Sequence, residues 1–433
     1  MNALPFRLAR RLPFFYGWVV VAVAFITLGF GNNIRAAFSL LYPPLLSEFG
    51  WDRAITGSIF SIGFFVAALL APLMGWLMDR HGPQVVIAGA TALVAAGLAL
   101  ATQADTLWQF QVTLGVMTIG GCSALAFNGH FIFLPHWFSR QRALAIGIVS
   151  AGSGLVGLIM FPWLQGMIEG VGWRQGCLII AGLLVILVLP LNALLQRRAP
   201  ADLGLRPDGD DDEGRAAARS GLRPPRIVDP AWAAKPWTLA EALCTLRFWA
   251  CAIGFATAMF AWYGILVHQT KLLVDLGFEA ELAAIILGLI PMLGVVGQIV
   301  LGILADRIWR EWVWTISCFG FVLGCLALLA LPYATDPLLV YAFAAAMGVL
   351  GYALPVVYGA IPADLFQGPH YGSIYGSLAL IGSSGAAAGP FVYGALFDAT
   401  RTYDGALWLT IAVAFASMAA MWIAAPRNVR RPG

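Results

Sequence analysis

Charge is the first thing this sequence lacks. Of its 433 residues only 11% are charged and 60% are hydrophobic, whereas a soluble domain carries roughly 25% charged residues. Such a chain cannot cover a water-facing surface. The excess of basic over acidic residues is only three and says little about partners; nothing in the sequence resembles a basic nucleic-acid-binding face. The six cysteines stand at 122, 177, 244, 251, 318 and 325; no pair has metal or redox spacing, and they read as small hydrophobes in helices. There is no phosphate loop, metal-ligand cluster or nucleophile–base arrangement. The expectation is therefore no enzyme, no cofactor and no metal site.

What is present is apolar sequence in long runs. A membrane-spanning helix needs about 20 mostly apolar residues. That ruler gives twelve candidates, near 15–41, 54–78, 84–103, 108–133, 143–168, 174–195, 246–270, 282–304, 312–331, 338–362, 372–396 and 406–425. The basic start, Arg7, Arg10 and Arg11, precedes an apolar run too long for a signal-peptide core, so the first run reads as a retained helix. Residues 197–241 break the pattern with "GDDDEGRAAARSGLRPPR", polar and aperiodic, which reads as a linker. The expected domains are a six-helix bundle at 1–196, a cytoplasmic linker at 197–241 and a second six-helix bundle at 242–433. The fold class is an all-α membrane protein of twelve transmembrane helices in two pseudo-symmetric bundles.

Basic residues set the orientation. With the first residues inside, the inner segments hold 20 of the 25 lysines and arginines, against Arg53, Arg174, Lys271 and Arg401 outside. This follows the positive-inside rule and places both ends of the chain and the linker in the cytoplasm, with the protein multi-pass in the cytoplasmic (inner) membrane. The halves also repeat. "SEFGW" (47–51) matches "VDLGF" (274–278) and "GWLMDR" (75–80) matches "GILADR" (302–307), both at an offset of 227. A third match, 134–154 with 362–384, falls at 228–230. A common offset argues for duplication, and duplicated six-helix halves are a transporter architecture with a site expected near midplane between them. The small residues of 145–157 and 371–389 permit close helix approach, for packing or for sliding.

"GWLMDRHG" resembles the G-x-x-x-D-R-x-G loop of the major facilitator superfamily, and "GILADRIWR" resembles its second copy. The resemblance covers the chain outside the linker. It implies a cytoplasmic gating motif of Gly75, Asp79, Arg80 and Gly82, repeated at Gly302, Asp306 and Arg307. Within the superfamily, "WFSRQRALAIGIVSAGSGLVG" (137–157), the opening "YGW" (16–18) and the 359–398 segment resemble the monocarboxylate transporters and the bacterial oxalate/formate exchangers. Members of that group commonly carry an arginine where this chain has Gln298, and many animal members an aspartate where it has Gly294.

That departure directs attention to "GNNIRAAFSL" (31–40). Asn32, Arg35, Ser39 and Tyr42 form one polar stripe at helical spacing, on a helix otherwise lined by Val, Ala, Ile, Leu and Phe. Arg35 lies roughly 10 Å beyond the centre of its run at 1.5 Å per residue. Monocarboxylate transporters place a functional lysine at about this depth. Every Asp and Glu falls in a loop, the linker or a helix end, so no mid-membrane carboxylate is available to Arg35. Its guanidinium fork suits a carboxylate. Three fates stay open: contact with an anionic substrate, a pairing with Glu48 or Asp52, and snorkelling to the outer interface.

Further substrate-binding candidates are Gln298, Trp262, Tyr263, Tyr352 and His268, with Tyr358 as an added aromatic. His268 and His130 are the proton-coupling candidates, since histidine titrates near neutrality. Each of these residues also has an ordinary structural role available to it. The leading function is a secondary active transporter of a small organic anion, a monocarboxylate, by alternating access with optional proton coupling. Its partners are that small molecule and the bilayer; no nucleic acid is expected and protein partners are unassigned. The alternatives are an exporter of apolar or aromatic compounds and a transporter-derived sensor, the latter disfavoured because the linker is too polar and irregular to be a sensory domain. Cysteines introduced into 197–241 should react with an impermeant maleimide only in inside-out vesicles; labelling of that segment in intact cells would overturn the orientation.

Overall fold

Backbone N–H and C=O groups have no water to bond in lipid, so a spanning segment satisfies them internally as helix. The computed structural model describes residues 5–6, 9, 11–51, 53–209, 226–334 and 336–431, without the side chains of 39, 53, 54, 280, 281 and 284. Arg7, Arg10, Asp52, the linker core at 210–225 and the side chain of Ser39 lie outside the described residues. Among the described residues, twelve helical spans are long and apolar enough to cross a membrane: Gly17–Phe49, Ile55–His81, Pro83–Ala101, Leu107–Trp137, Arg142–Val171, Trp173–Leu195, Leu246–Asp275, Ile285–Ala305, Arg310–Ala330, Pro337–Phe366, Tyr371–Thr400 and Asp404–Asn428. The only strands among the described residues are Arg226–Ile227 and Arg430–Arg431, which pair antiparallel.

The first span runs past the expected end at 41. The helix Gly17–Ala36 is followed, through Ala37, by a second helix Phe38–Phe49 that contains Pro43 and Pro44. Two prolines remove two N–H donors and usually end a helix. Here the break falls before them, at Ala37, and the chain continues helically to a left-handed Gly50. Arg35 therefore sits in the last turn before a discontinuity.

Two compact units divide the chain: Met1–Ser139 with Gly152–Arg219, and Arg140–Ala151 with Ser220–Gly433. In the first unit, glycines seat the first span against the fifth and the fourth. A Cβ at Gly152 would lie 2.5 Å from the Phe25 carbonyl oxygen, and one at Gly31 would lie 2.4 Å from the Leu125 Cβ. Asn192 of the sixth span donates to the Thr27 hydroxyl at 2.7 Å, a polar contact between buried side chains. In the second unit the eleventh span meets the seventh in the same manner: Cβ atoms at Gly385 and Gly389 would lie 1.9 and 2.5 Å from the carbonyl oxygens of Ala256 and Phe260. Small residues at these crossings follow the general rule for membrane helix packing.

The fourth span of each half is irregular. In the first it passes from a π-helical segment, Gln111–Gly120, through Cys122–Leu125 to an extended Ala126 and on to Phe127–Trp137. In the second it runs through a π-helical Ala346–Leu350 and a 3₁₀ turn, Gly351–Ala353, before Leu354–Phe366. Interrupted helices at corresponding positions of duplicated halves are the usual pointer to a transport site. The described parts of the linker carry 3₁₀ turns at Pro200–Leu203 and Pro207–Gly209 and short helices at Pro230–Ala234 and Leu239–Leu243.

The Gly31 contact has a measurable consequence. Gly31→Val should overpack the crossing with Leu125 and cost about 1–3 kcal/mol. A thermal unfolding midpoint in detergent should fall by several degrees, while Gly166→Val, with open space at its Cβ position, should leave it close to wild type.

Candidate functional site

The polar groups of the first span are held by a serine that the sequence pattern assigns only to helix packing. Asn32 donates to the Ser153 hydroxyl at 2.5 Å. Asn33 donates to the Ser153 carbonyl and to the Gly29 carbonyl, both at 2.8 Å. Arg35 in turn donates from Nη2 to Asn32 Oδ1 at 3.0 Å, and its guanidinium carbon lies 4.9 Å from the centre of the Phe64 ring. Ser153, Asn32 and Arg35 thus form a short relay that aims a half-buried guanidinium. Phe64 supports its face through a cation–π contact. Ser153 was concealed within "SAGSG", where it reads as one small residue among several.

No carboxylate lies within ion-pair distance of Arg35 among the described residues. Glu48, one of the two expected alternatives, is taken elsewhere: Arg174 pairs with it at 2.6 Å and the Trp173 indole donates to it at 2.8 Å. Asp52, the other, lies outside the described residues. The break in the fourth span packs against Gly31, one helical turn from Arg35.

The second unit holds the other candidates, and it brings only some of them together. Trp262 packs on Tyr352 with ring centres 4.6 Å apart, and on Phe321 at 6.0 Å. Tyr352 occupies the 3₁₀ turn of the irregular tenth span. Its ring fills the space over Gly294, where a Cβ would be 2.5 Å from a ring carbon. The absence of a side chain at 294 is thus explained by the aromatic ring that replaces it. Gln298, one turn further on, is buried, and its carbonyl oxygen is 2.4 Å from the position of a Cβ at Gly147. Tyr263 is half-buried. Tyr358 lies in a stack with Phe255 at 3.6 Å, and Phe255 in turn stacks on Trp314 at 5.5 Å.

His268 belongs to a different neighbourhood. Its Nε2 lies 3.0 Å from the Pro390 carbonyl and its Nδ1 3.4 Å from the Tyr403 hydroxyl, and its ring stacks on Tyr393. His130 in the first unit is fully buried; its Nδ1 meets the Ala126 carbonyl at 3.0 Å, and its Nε2 has no partner among the described residues.

The two copies of the loop motif are built differently. Gly75 is buried, and Arg80 is exposed over the Trp76 ring at 5.3 Å. Gly82 takes a φ of 78°, ahead of the helix Pro83–Ala101, and the Asp79 carbonyl accepts from Arg198. In the second copy, Asp306 is the organising group. Its carboxylate accepts the backbone N–H groups of Ala143 and Leu144 at 2.9 and 2.8 Å, and so caps the helix that starts at Arg142 with a negative charge. Gly302 allows this approach: its Cβ position is 3.1 Å from the Ala143 carbonyl oxygen. Burial pushes the Asp306 carboxyl above its ordinary range, while Arg310 and the two N–H donors oppose that shift. Arg310, not the exposed Arg307, is the cation here. It bonds Asp306 at 3.2 Å and Asp364 as well, and Asp364 also pairs with Arg142 at 2.5 Å. Arg142 reaches Gln367 at 2.9 Å. The four charges Arg142, Asp306, Arg310 and Asp364 are all buried. Their sequence signal was charge retained at helix ends inside the quoted motifs, but the pairing depends on chain segments far apart.

Comparison with known proteins agrees with this architecture. Monocarboxylate transporter 12 of Rattus norvegicus is 26% identical over 409 residues, covering 91% of this chain and 82% of that protein. Monocarboxylate transporter 11 of Homo sapiens is 27% identical over 404 residues, covering 91% and 80%. Among solved structures, the transporter FucP in its outward conformation superposes with a TM-score of 0.68 at 14% identity, covering 95% of this chain and 99% of that one. The proton:xylose symporter XylE gives 0.67 at 13% identity, covering 94% and 95%. The family model described as Major Facilitator Superfamily matches residues 19–357 and 297–433. The duplicated, interrupted helices and the whole-length similarity lead to one conclusion: the chain belongs to the major facilitator superfamily, and within it resembles the monocarboxylate transporter group.

Proposed function

We propose that this chain carries small organic anions, monocarboxylates in the first place, across the cytoplasmic membrane by alternating access, with both ends of the chain and the 197–241 linker in the cytoplasm between domains at 1–196 and 242–433. The observation that carries the substrate class is Arg35: a half-buried guanidinium, aimed by Asn32 and Ser153, with no protein carboxylate beside it among the described residues. A charge held within a membrane span is costly unless answered by another charge or by water. A substrate carboxylate answers it bidentately. The relatives named monocarboxylate transporters support the same class.

The aromatic pair Trp262–Tyr352 supplies apolar surface and a phenol hydroxyl in the second unit. Together with the uncharged Gln298 and Gly294, it favours a substrate with one carboxylate and an apolar body. The same pair supports the second reading, an exporter of apolar or aromatic compounds, for which Arg35 would be dispensable. Proton coupling, where it operates, we assign to the substrate carboxylate or to His268, which has a hydroxyl and a carbonyl for partners. His130 has no polar contact besides the carbonyl of its own helix.

Two measurements test this reading. In proteoliposomes, Arg35→Gln should lower apparent affinity for a labelled monocarboxylate by at least about 30-fold, the lower end of the 2–5 kcal/mol lost when a buried charged partner is left alone. Arg35→Lys should retain part of the transport, and a neutral amide analogue should be little affected. Monocarboxylate affinity within twofold of wild type in Arg35→Gln would favour the exporter. For the charge cluster, Asp364→Asn removes the carboxylate that Arg142 and Arg310 share and should destabilise the protein by about 3–5 kcal/mol, with slower uptake. Adding Arg142→Gln should recover part of the lost unfolding temperature; no recovery would separate the two residues energetically.

A further inference from the structure

Residues at the ends of the second, third and sixth spans line an open-sided cavity of about 670 Å³ in the first unit. Among the described residues that line it, Arg80, Arg197 and Arg198, the last also donating to the Asp79 carbonyl, stand against one carboxylate, Asp202. Asp202 is already engaged, accepting the backbone N–H groups of Arg198 and Ala199 at 3.1 and 3.2 Å. Arg197 is only 9% exposed, donates to the carbonyl of its neighbour Gln196, and has no carboxylate within ion-pair distance among the described residues. The cavity also receives the start of the helix Pro83–Ala101, whose N-cap is Gly82, with no capping side chain and no acidic residue in its first turn. The partial positive charge of that helix end adds to the arginines.

The second half shows what such a place requires. The 227-residue offset that matches Arg80 with Arg307 also matches Gln84 with Glu311. Glu311 is completely buried in the first turn of its helix. It accepts both the backbone N–H and the guanidinium of Arg427, each at 3.1 Å. Arg427 closes the twelfth span, as Arg197 and Arg198 follow the sixth. One half thus carries its own anion between a helix start and a terminal arginine. The other half has the arginines and the helix start, but a neutral amide, Gln84, in the carboxylate's place.

We propose that this cavity is a binding site for a phosphate-bearing anion, which supplies in the first half the negative charge that Glu311 supplies in the second. Its position at the ends of three spans suits the phosphodiester of an anionic lipid headgroup, and basic pockets between spans are a known place for such headgroups. A soluble phosphate offers the same oxygens to the same donors. The site is separate from Arg35 and needs no assumption about the transported substrate.

The test uses the full-length protein in phosphatidylcholine nanodiscs doped with phosphatidylglycerol, with lipid retention read by native mass spectrometry. Inorganic phosphate is titrated in a parallel thermal-shift assay. Wild type should retain one phosphatidylglycerol, and Arg80→Gln should weaken retention about fivefold, the effect of one arginine near an anionic headgroup. Gln84→Glu brings in the carboxylate of the second half, so it should fold normally and lose the bound anion altogether. Arg307→Gln, the matching charge removal in the other half, should not change retention. Retention of phosphatidylglycerol undisturbed by millimolar phosphate identifies the lipid as the source, whereas stabilisation by inorganic phosphate that Gln84→Glu abolishes identifies the soluble ion. The proposal fails if neither probe binds, or if Gln84→Glu and Arg80→Gln hold both as wild type does.

Discussion

A charge removed from water must be met by an opposite charge or a dense set of dipoles, and in a chain this apolar there are few of either. The described structure meets several of its buried charges in this way. Asp306 is met by Arg310 and two helix-start N–H groups, Asp364 by two arginines, and Glu311 by Arg427. These pairings fasten helix ends to one another and fix which segments can be neighbours. Arg35 stands apart from this pattern, since it receives only an asparagine oxygen and an aromatic face. The contrast, more than its depth in the membrane, makes Arg35 the residue around which a substrate reading is built.

The packing that presents Arg35 is equally constrained. Glycines bring the first span close enough to the fifth for Asn32 and Asn33 to reach Ser153. The same proximity turns Asn32 and Asn33 toward the fifth span. Ser153 and Asn32 position the guanidinium; for the anion proposed above, a fork held in place beforehand would lose less entropy on binding.

Much of the fold was legible because its cause is local. Eleven of the expected spans end within a few residues of the observed ones, since an apolar run of membrane length has few alternatives. The exception was the first span, expected near 15–41, whose helix instead broke at Ala37 and ran on through Pro43 and Pro44 to Phe49. The site was less legible. The position of Arg35 and the lack of a mid-span carboxylate could be read from the chain alone. Its link to Ser153 could not, because that contact joins residues 121 apart along the chain. The motif names Arg307; burial and ion pairing, which a motif does not encode, fall to Arg310. The Asp364 pairings likewise depend on which helix ends converge.

Gly294 and Tyr352 carry a consequence for how this chain relates to its wider group. The ring of Tyr352 occupies the volume that any side chain at 294 would need. The carboxylate that many animal members place there therefore cannot be restored by one substitution; it requires a smaller residue at 352 in the same step. Between the two arrangements lies either a steric clash or an unfilled void. Position 294 is thus closed to a side chain for as long as residue 352 carries this ring, and the two positions are energetically coupled and not independent.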